Sequence, residues 1–148
     1  ACESVAVLAR EKGIELEYSA ARELPDVKVD RGRIIQVLSN LISNALRFTP
    51  EAGRIEVRAH EDEGAIKISV RDTGPGIRPE DREAIFLPFW QAMRGARQGA
   101  GLGLTIARAI IEQHGGRIWV ESEEGAGTTF SFTIPLARRR EDSQAAAA

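Results

Sequence analysis

The chain has 148 residues, of which 43% are hydrophobic and 28% are charged, a composition typical of one soluble globular domain. Its net charge of −2 lacks the basic excess with which nucleic-acid binders neutralise phosphates, so we expect no nucleic-acid partner. A single cysteine and two histidines exclude an internal disulfide and argue against a zinc site. No apolar run approaches the ~20 residues of a membrane span, and no signal peptide is recognisable. We therefore expect a cytoplasmic domain without membrane contact, which leaves open a membrane-anchored parent protein.

The N-terminal part of the chain predicts a short helix and extended segments. Residues 1–12 are helical in pattern and end at Gly13, a residue type that commonly terminates helices. This helix is short enough to be the end of a longer linker helix. Apolar and polar residues alternate over residues 14–18, which predicts a strand, and residues 27–29 predict a second short strand.

A long amphipathic helix is predicted from Asp30, a favoured N-cap residue, to about Phe48, where Thr49-Pro50 ends it. Its apolar face recurs at helical spacing and consists of Ile34, Ile35, Leu38, Leu41, Ile42, Ala45 and Leu46. A polar stripe on another face consists of Gln36, Asn40, Asn44 and Arg47.

The polar stripe has a chemical interpretation and an ordinary one. Asn40 and Asn44, one turn apart, offer amide carbonyl oxygens, which are hard neutral ligands suited to a Mg²⁺ ion that also binds phosphates. Arg47, one turn further on, is placed to meet a phosphate oxygen. A solvated polar face explains the same residues if the helix is considered alone, so the choice depends on the rest of the chain.

Two strands are predicted at residues 54–60 and 65–72, joined by an acidic turn that ends in Gly64. Asp72 continues the parity of the apolar residues of the second strand, so its carboxylate is expected on the core side, where it needs hydrogen-bond partners. The glycines of residues 73–77 let a flat ligand approach the backbone. A hydrogen-bond acceptor at this place suits the amino group of adenine. The alternative is that Asp72 is an ordinary turn residue.

Residues 73–101 are rich in glycine and proline, with room for one short helix near residues 79–86. They run into the sequence GAGLGL (99–104), which opens a helix predicted over residues 102–114. Glycines before a helix N-terminus expose backbone N–H groups that bind phosphates. The pattern follows no predicted strand, as a Rossmann fingerprint would, and the chain has no GxxxxGK[ST] string of a P-loop.

The last strands are predicted at residues 117–121 and 128–136. Thr128 shares the parity of the apolar residues after it, so we expect its hydroxyl in a buried polar cluster with Asp72. Residues 137–148 end in alanines and are interpreted as a disordered tail or a cloning remnant. The mixture of helices and strands, without strict βαβ alternation, predicts an α/β fold: a two-layer sandwich with helices on one face of a mixed, mostly antiparallel sheet.

Five segments in chain order resemble the motifs of sensor histidine kinases. They are NLISNALRFTP (40–50), DTGPGI (72–77), IFLPF (85–89), GAGLGL (99–104) and GAGTTF (125–130). They are similar to the asparagine box, first glycine box, phenylalanine box, second glycine box and closing strand motif of that family. The resemblance implies an ATP-binding catalytic domain of Bergerat-type fold over residues 1–136.

The resemblance also implies roles for the polar residues. In the family, the asparagine that matches Asn44 holds Mg²⁺ against the nucleotide phosphates, and the one that matches Asn40 assists. Residues matching Arg47 and Phe48 contact phosphates and wall the site. The residue matching Asp72 accepts a hydrogen bond from the adenine amino group.

The remaining implied positions surround the base and the phosphates. Around the base they are Gly74, Gly76, Ile77 and Thr128. Along the phosphates they are Gly99, Gly101, Leu102 and Gly103. Residues 90–100 match the mobile ATP lid of the family, anchored by Phe86 and Phe89. Gln91 stands where the family often has arginine, and Arg94 and Arg97 are candidate replacements.

The resemblance favours a kinase over an ATPase. Gyrase-type ATPases and heat-shock chaperones have a glutamate one turn before the Mg²⁺ asparagine, and the matching residue here is Asn40, which cannot act as a general base. We therefore expect the chain to bind Mg-ATP and donate the γ-phosphoryl group to a histidine on a separate dimerisation domain of the same protein, with a response regulator downstream.

Neither histidine of this chain is expected to be the acceptor, so the isolated chain should bind ATP without labelling itself. His60 is predicted in mid-strand, and His114 is predicted as a last-turn cation near a helix dipole. Two alternatives stay open. The chain could be a nucleotide-dependent binding module without catalysis, or a protein serine kinase of the anti-sigma type.

Overall fold

The computed structural model describes residues 2–90 and 102–137. Its helices are α1 (Cys2–Glu11), α2 (Arg31–Phe48) and α3 (Gly103–Gln113). Its strands are β1 (Glu15–Ala20), β2 (Arg54–Asp62), β3 (Ala65–Asp72), β4 (Ile118–Glu123) and β5 (Gly127–Pro135). Two 3₁₀ helices, Pro79–Asp81 and Ala84–Phe86, lie between β3 and α3. None of the helices in the described ranges has the length and apolar content needed to cross a bilayer.

The strands form one sheet in the order β1-β2-β3-β5-β4. β1 pairs parallel with β2, and the other three pairs are antiparallel. Helices α2 and α3 pack against each other and on the sheet, so that apolar side chains of all these elements form a single core. Its largest fully buried side chains are Phe130, Phe132, Leu41, Ile55 and Ile111. The predicted α/β sandwich with a mixed, mostly antiparallel sheet is confirmed.

Helix α2 begins and ends as its sequence predicts. The Asp30 carboxylate accepts a hydrogen bond of 3.2 Å from the Arg33 N–H, which satisfies a donor of the first turn. Thr49 ends the helix. The predicted apolar face was wrong at Ile35, which is 39% exposed, whereas Val37 is fully buried. Position 37 lies three residues after the buried Ile34 and so returns to the same face, whereas position 35 is rotated by about 100°.

Two other local predictions were wrong. Residues 27–29 form no strand, although Val27 and Val29 pack half-buried against the core. Alternation specified the face that these residues bury, but it does not specify a pairing partner. The single helix predicted near residues 79–86 is two 3₁₀ helices, closed by bonds such as that from the Leu87 N–H to the Ala84 carbonyl at 3.0 Å.

Polar contacts join α3 to α2 at both ends of α3. Near the start of α3, the Asn40 side-chain amide donates to the Gly103 carbonyl at 3.1 Å. After the end of α3, Nε2 of His114 accepts from the Asp30 N–H at 3.1 Å, and its Nδ1 lies 2.7 Å from the Ile110 carbonyl. A proton on Nδ1 and a lone pair on Nε2 satisfy both contacts. The His114 ring thus connects the end of α3 with the N-cap residue of α2.

We expect Asp30→Ala to lower the free energy of unfolding by about 1 kcal/mol, because the cap of α2 is lost. Asp30→Asn is the matched control, since asparagine caps as well as aspartate does. Chemical denaturation monitored by circular dichroism measures both. Equal stability of Asp30→Ala and the wild type would contradict a stabilising role of this cap.

Candidate nucleotide-binding site

A pocket of about 210 Å³ opens between α2, the loop after β3 and the start of α3. Six residues that the sequence singled out line it: Asn44, Phe48, Asp72, Gly76, Ile77 and Thr128. They come from α2, from the end of β3 and the loop after it, and from the adjacent strand β5. A concave, mainly apolar pocket with a few convergent polar groups is the usual form of a small-molecule site.

Asp72, the last residue of β3, places a carboxylate in this pocket. The residue is only 5% exposed, as its parity with the apolar residues of β3 predicts. Its Oδ1 accepts from the Gly74 N–H at 2.8 Å, and the Thr128 backbone N–H also donates to the carboxylate. Burial raises the pKa of Asp72 above the usual aspartate value, although these two hydrogen bonds lower it. The fold therefore holds the Asp72 carboxylate where burial disfavours its ionised form.

The glycines after Asp72 are required by the protein's own packing. Gly76 has a φ of 79°, and a Cβ there would overlap the Glu123 carbonyl. A Cβ on Gly74 would crowd the Asp72 carboxylate and the Phe48 carbonyl, and Gly74 is not part of the pocket lining. The glycines thus let this loop approach α2 and the end of β4, and the approach of a flat ligand to Gly76, which lines the pocket, stays a prediction.

The predicted polar cluster around Asp72 is present and larger than expected. Thr128 lies opposite Asp72 in the β3–β5 register. Its Oγ1 is 3.1 Å from the hydroxyl of Ser122, which is 8% exposed. Ser122 was missed by the sequence analysis, although a signal exists. It shares the parity of Ile118 and Val120 in β4, which both pack against the core.

The residues of the polar stripe of α2 lie in different surroundings. Asn44 lines the pocket, whereas the Asn40 amide group bonds to Gly103. Arg47 is exposed and lies outside the lining, and Phe48 is 44% exposed at its edge. The two amide oxygens fit Mg²⁺ by their chemistry, since neutral hard oxygens can share the ion with phosphates.

Helix α3 begins beside these asparagines, with Leu102 at its N-cap and Gly103 as its first residue. An apolar leucine offers no side-chain acceptor to the first-turn N–H groups, which need acceptors from elsewhere. Five positions that the sequence analysis named, Gln91, Arg94, Arg97, Gly99 and Gly101, lie outside the described residues.

Several lining residues were not predicted. Ile85, Leu104, Phe130 and Trp90 form apolar parts of the wall, and Arg78 and Asp81 add a charged edge. Of the two expected lid anchors, Phe86 is buried and its ring meets that of Phe130 edge-on at 6.2 Å. Phe89 is 53% exposed with a φ of 61°, so within the described residues it is not an anchor buried in the core.

The raised pKa of Asp72 yields a stability prediction. A carboxyl with a raised folded-state pKa stabilises the fold most when protonated, so its contribution is lost as the pH rises through that pKa. Asparagine mimics the protonated carboxyl. We therefore expect ligand-free Asp72→Asn to melt above the wild type at pH 7, with a difference that shrinks toward about pH 4, the usual aspartate pKa.

Thermal melts of both proteins across this pH range measure the effect. Asp62→Asn, at an exposed position at the end of β2, is the control that should show no such trend. A melting difference for Asp72→Asn that stays constant with pH would contradict the assigned burial cost.

Comparison with known proteins agrees with this geometry. The profile of the histidine kinase-, DNA gyrase B- and HSP90-like ATPase family matches residues 29–138. Sensor histidine kinase WalK of Bacillus subtilis is 42% identical over 130 residues, covering 82% of this chain and 21% of WalK. Sensor histidine kinase ZraS of Escherichia coli is 40% identical over 136 residues, covering 92% of this chain and 29% of ZraS. The chain thus spans less than a third of the length of these relatives.

A solved structure shows the same fold. Full-length ShkA, crystallised in complex with AMPPNP, has a TM-score of 0.83 and 39% identity over 93% of this chain and 28% of that one. The fold, the pocket and the family profile agree. The chain belongs to the family of histidine kinase-, DNA gyrase B- and HSP90-like ATPases, and those of its relatives described above are sensor histidine kinases.

Proposed function

We propose that this chain binds Mg-ATP in the pocket around Asp72 and donates the γ-phosphoryl group to a histidine on a separate dimerisation domain. The observation that carries the proposal is the Asp72 carboxylate, buried at the end of a mainly apolar pocket. A carboxylate in such a place pairs with a flat group that carries hydrogen-bond donors, as the adenine amino group does. The complex of the related ShkA with AMPPNP supports a nucleotide as the ligand.

In this proposal the phosphates lie between α2 and the start of α3. The first-turn N–H groups of α3, which Leu102 does not cap, bind phosphate oxygens together with the positive end of the helix dipole. Asn44 and Asn40 hold the Mg²⁺ ion, which neutralises phosphate charge when bound. Arg47 contacts a phosphate from the exposed end of α2. The motif match adds Gly99 and Gly101 to the phosphate contacts.

Transfer to an external nucleophile suits this site better than hydrolysis does. Asn40 stands where the related ATPases have a general base, and an amide cannot take a proton from water. Its side-chain N–H group is also engaged by Gly103. The site can position the nucleotide and stabilise charge, which is most of what phosphoryl transfer requires.

The acceptor histidine is proposed to lie outside this chain. Both ring nitrogens of His114 are engaged by backbone groups. His60 lies on β2, and that strand is separated from the pocket by β3 in the sheet order. The solved complex of the related histidine kinase ThkA with response regulator TrrA supports a response regulator as the downstream partner.

Metal dependence separates the proposed roles of Asn44 and Asp72. We expect Asn44→Ala to weaken ATP binding strongly with Mg²⁺ and much less in excess EDTA, because its role requires the ion. Asp72→Ala should weaken binding about ten- to a hundredfold in both conditions, as the loss of a charge-assisted hydrogen bond implies. Calorimetry on folded variants measures both. Equal losses for Asn44→Ala with and without the metal would contradict the Mg²⁺ role.

The proposed placement of the acceptor histidine on a separate domain gives a test of phosphoryl transfer. We expect the isolated chain to bind ATP without becoming labelled by [γ-³²P]ATP, since neither His60 nor His114 lines the pocket. A histidine-bearing dimerisation domain from its own parent protein, added in trans, should become labelled with an acid-labile phosphate. Asn44→Ala should abolish that labelling. Stable label on His60 or His114, or on a serine of the partner, would contradict the proposal.

A further inference from the structure

The Ser122 hydroxyl connects two parts of the pocket wall, the loop at Ile77 and the start of β5 at Thr128. Its Oγ accepts from the Ile77 N–H at 2.8 Å, donates to the Gly127 carbonyl at 2.9 Å and lies 3.1 Å from Oγ1 of Thr128. The residue is 8% exposed, and its own carbonyl accepts from the Arg82 guanidinium. Backbone contacts on both sides therefore fix the position of this hydroxyl.

The hydrogen-bonding capacity of Ser122 is fully used, and this determines the direction of its bond to Thr128. A hydroxyl has one proton and two acceptor lone pairs. The proton goes to Gly127, because a carbonyl oxygen can only accept. One lone pair is used by Ile77, so the contact with Thr128 uses the other. Thr128 is then the donor, and its proton points toward Ser122 and away from the pocket.

Thr128 consequently presents lone pairs to the pocket. The other polar group at this end, Asp72, is an acceptor when ionised, and both residues line the same pocket. A base that carries an amino group at its six position donates directly to such a wall, whereas the oxygen of a six-oxo group is a further acceptor that finds no donor there. We infer that Ser122 is a specificity-determining residue that selects six-amino over six-oxo purine nucleotides by orienting the Thr128 hydroxyl. The inference rests on the proposed nucleotide function.

Ser122→Ala tests this because it frees the Thr128 proton to turn into the pocket. We expect the ratio of dissociation constants for ITP and ATP to fall about fivefold, the equivalent of one neutral hydrogen bond. The same substitution in a Thr128→Val background should leave that ratio unchanged, since no hydroxyl remains to be oriented. Calorimetric titration of both nucleotides with Mg²⁺ measures these constants.

Ser131→Ala is the matched control. Ser131 is also a buried serine, 1% exposed on the neighbouring strand β5, and its hydroxyl has no hydrogen-bond partner among the described residues. Its parity is opposite to that of the pocket-lining Thr128 and Phe130. The loss of this hydroxyl should leave the ITP to ATP ratio unchanged. If Ser122→Ala fails to fold, Ser122→Cys carries the same expectation, because a thiol of similar size is a weaker donor and acceptor.

The outcomes separate this inference from the proposed function. Equal weakening of ATP and ITP in the Ser122 variant, or a fall in the ratio that persists in the Thr128→Val background, would overturn the inference and leave a merely structural role. Either result is interpretable only if the wild type binds ATP and Asp72→Ala weakens that binding. Absence of ATP binding by the wild type would instead overturn the proposed function.

Discussion

The burial of one carboxylate is the constraint on which this site depends. Asp72 ends a strand in the middle of the sheet, where solvent is excluded and its pKa is raised. Such a group is tolerated only where the fold supplies donors, and here they are the backbone N–H groups of Gly74 and Thr128. The first donor requires a sharp turn after β3 and the second requires the β3–β5 register. The local backbone around the pocket is thus organised by the needs of this side chain.

A second constraint aligns the two helices that flank the pocket. Asn40 bonds to the first residue of α3, and His114 bonds to the N-cap residue of α2. With polar contacts at both ends of α3, this helix cannot slide along α2 without losing both hydrogen bonds. The start of α3 and the pocket-lining Asn44 therefore keep a fixed relation. In the proposed function this relation sets where phosphates and Mg²⁺ meet.

The sequence predicted the parts of the site that depend on periodicity. The core-facing positions of Asp72 and Thr128 followed from strand alternation, and the Asp30 cap followed from residue preference. Features that depend on pairing between distant segments could not be predicted in this way. Residues 27–29 alternate without joining the sheet, and Gly76 proved necessary because of a carbonyl that is distant in sequence. Ser122 lies just beyond the strand predicted at residues 117–121, and its partners Ile77, Gly127 and Thr128 belong to other segments of the chain.

The same physics explains why the pocket is suited to a ligand with donor groups. In the ligand-free fold, Asp72 has fewer partners than an ionised carboxylate can accept in water, and desolvation outweighs the two bonds that it makes. Because folding has already desolvated and oriented this group, a ligand that donates to it loses little in reorganisation. In the inferred arrangement, Thr128 also offers only lone pairs, so the Thr128 hydroxyl and the Asp72 carboxylate both act as hydrogen-bond acceptors toward the pocket. Selectivity then arises from the fixed direction of a proton, which rigid backbone partners maintain more reliably than a solvent-exposed contact could.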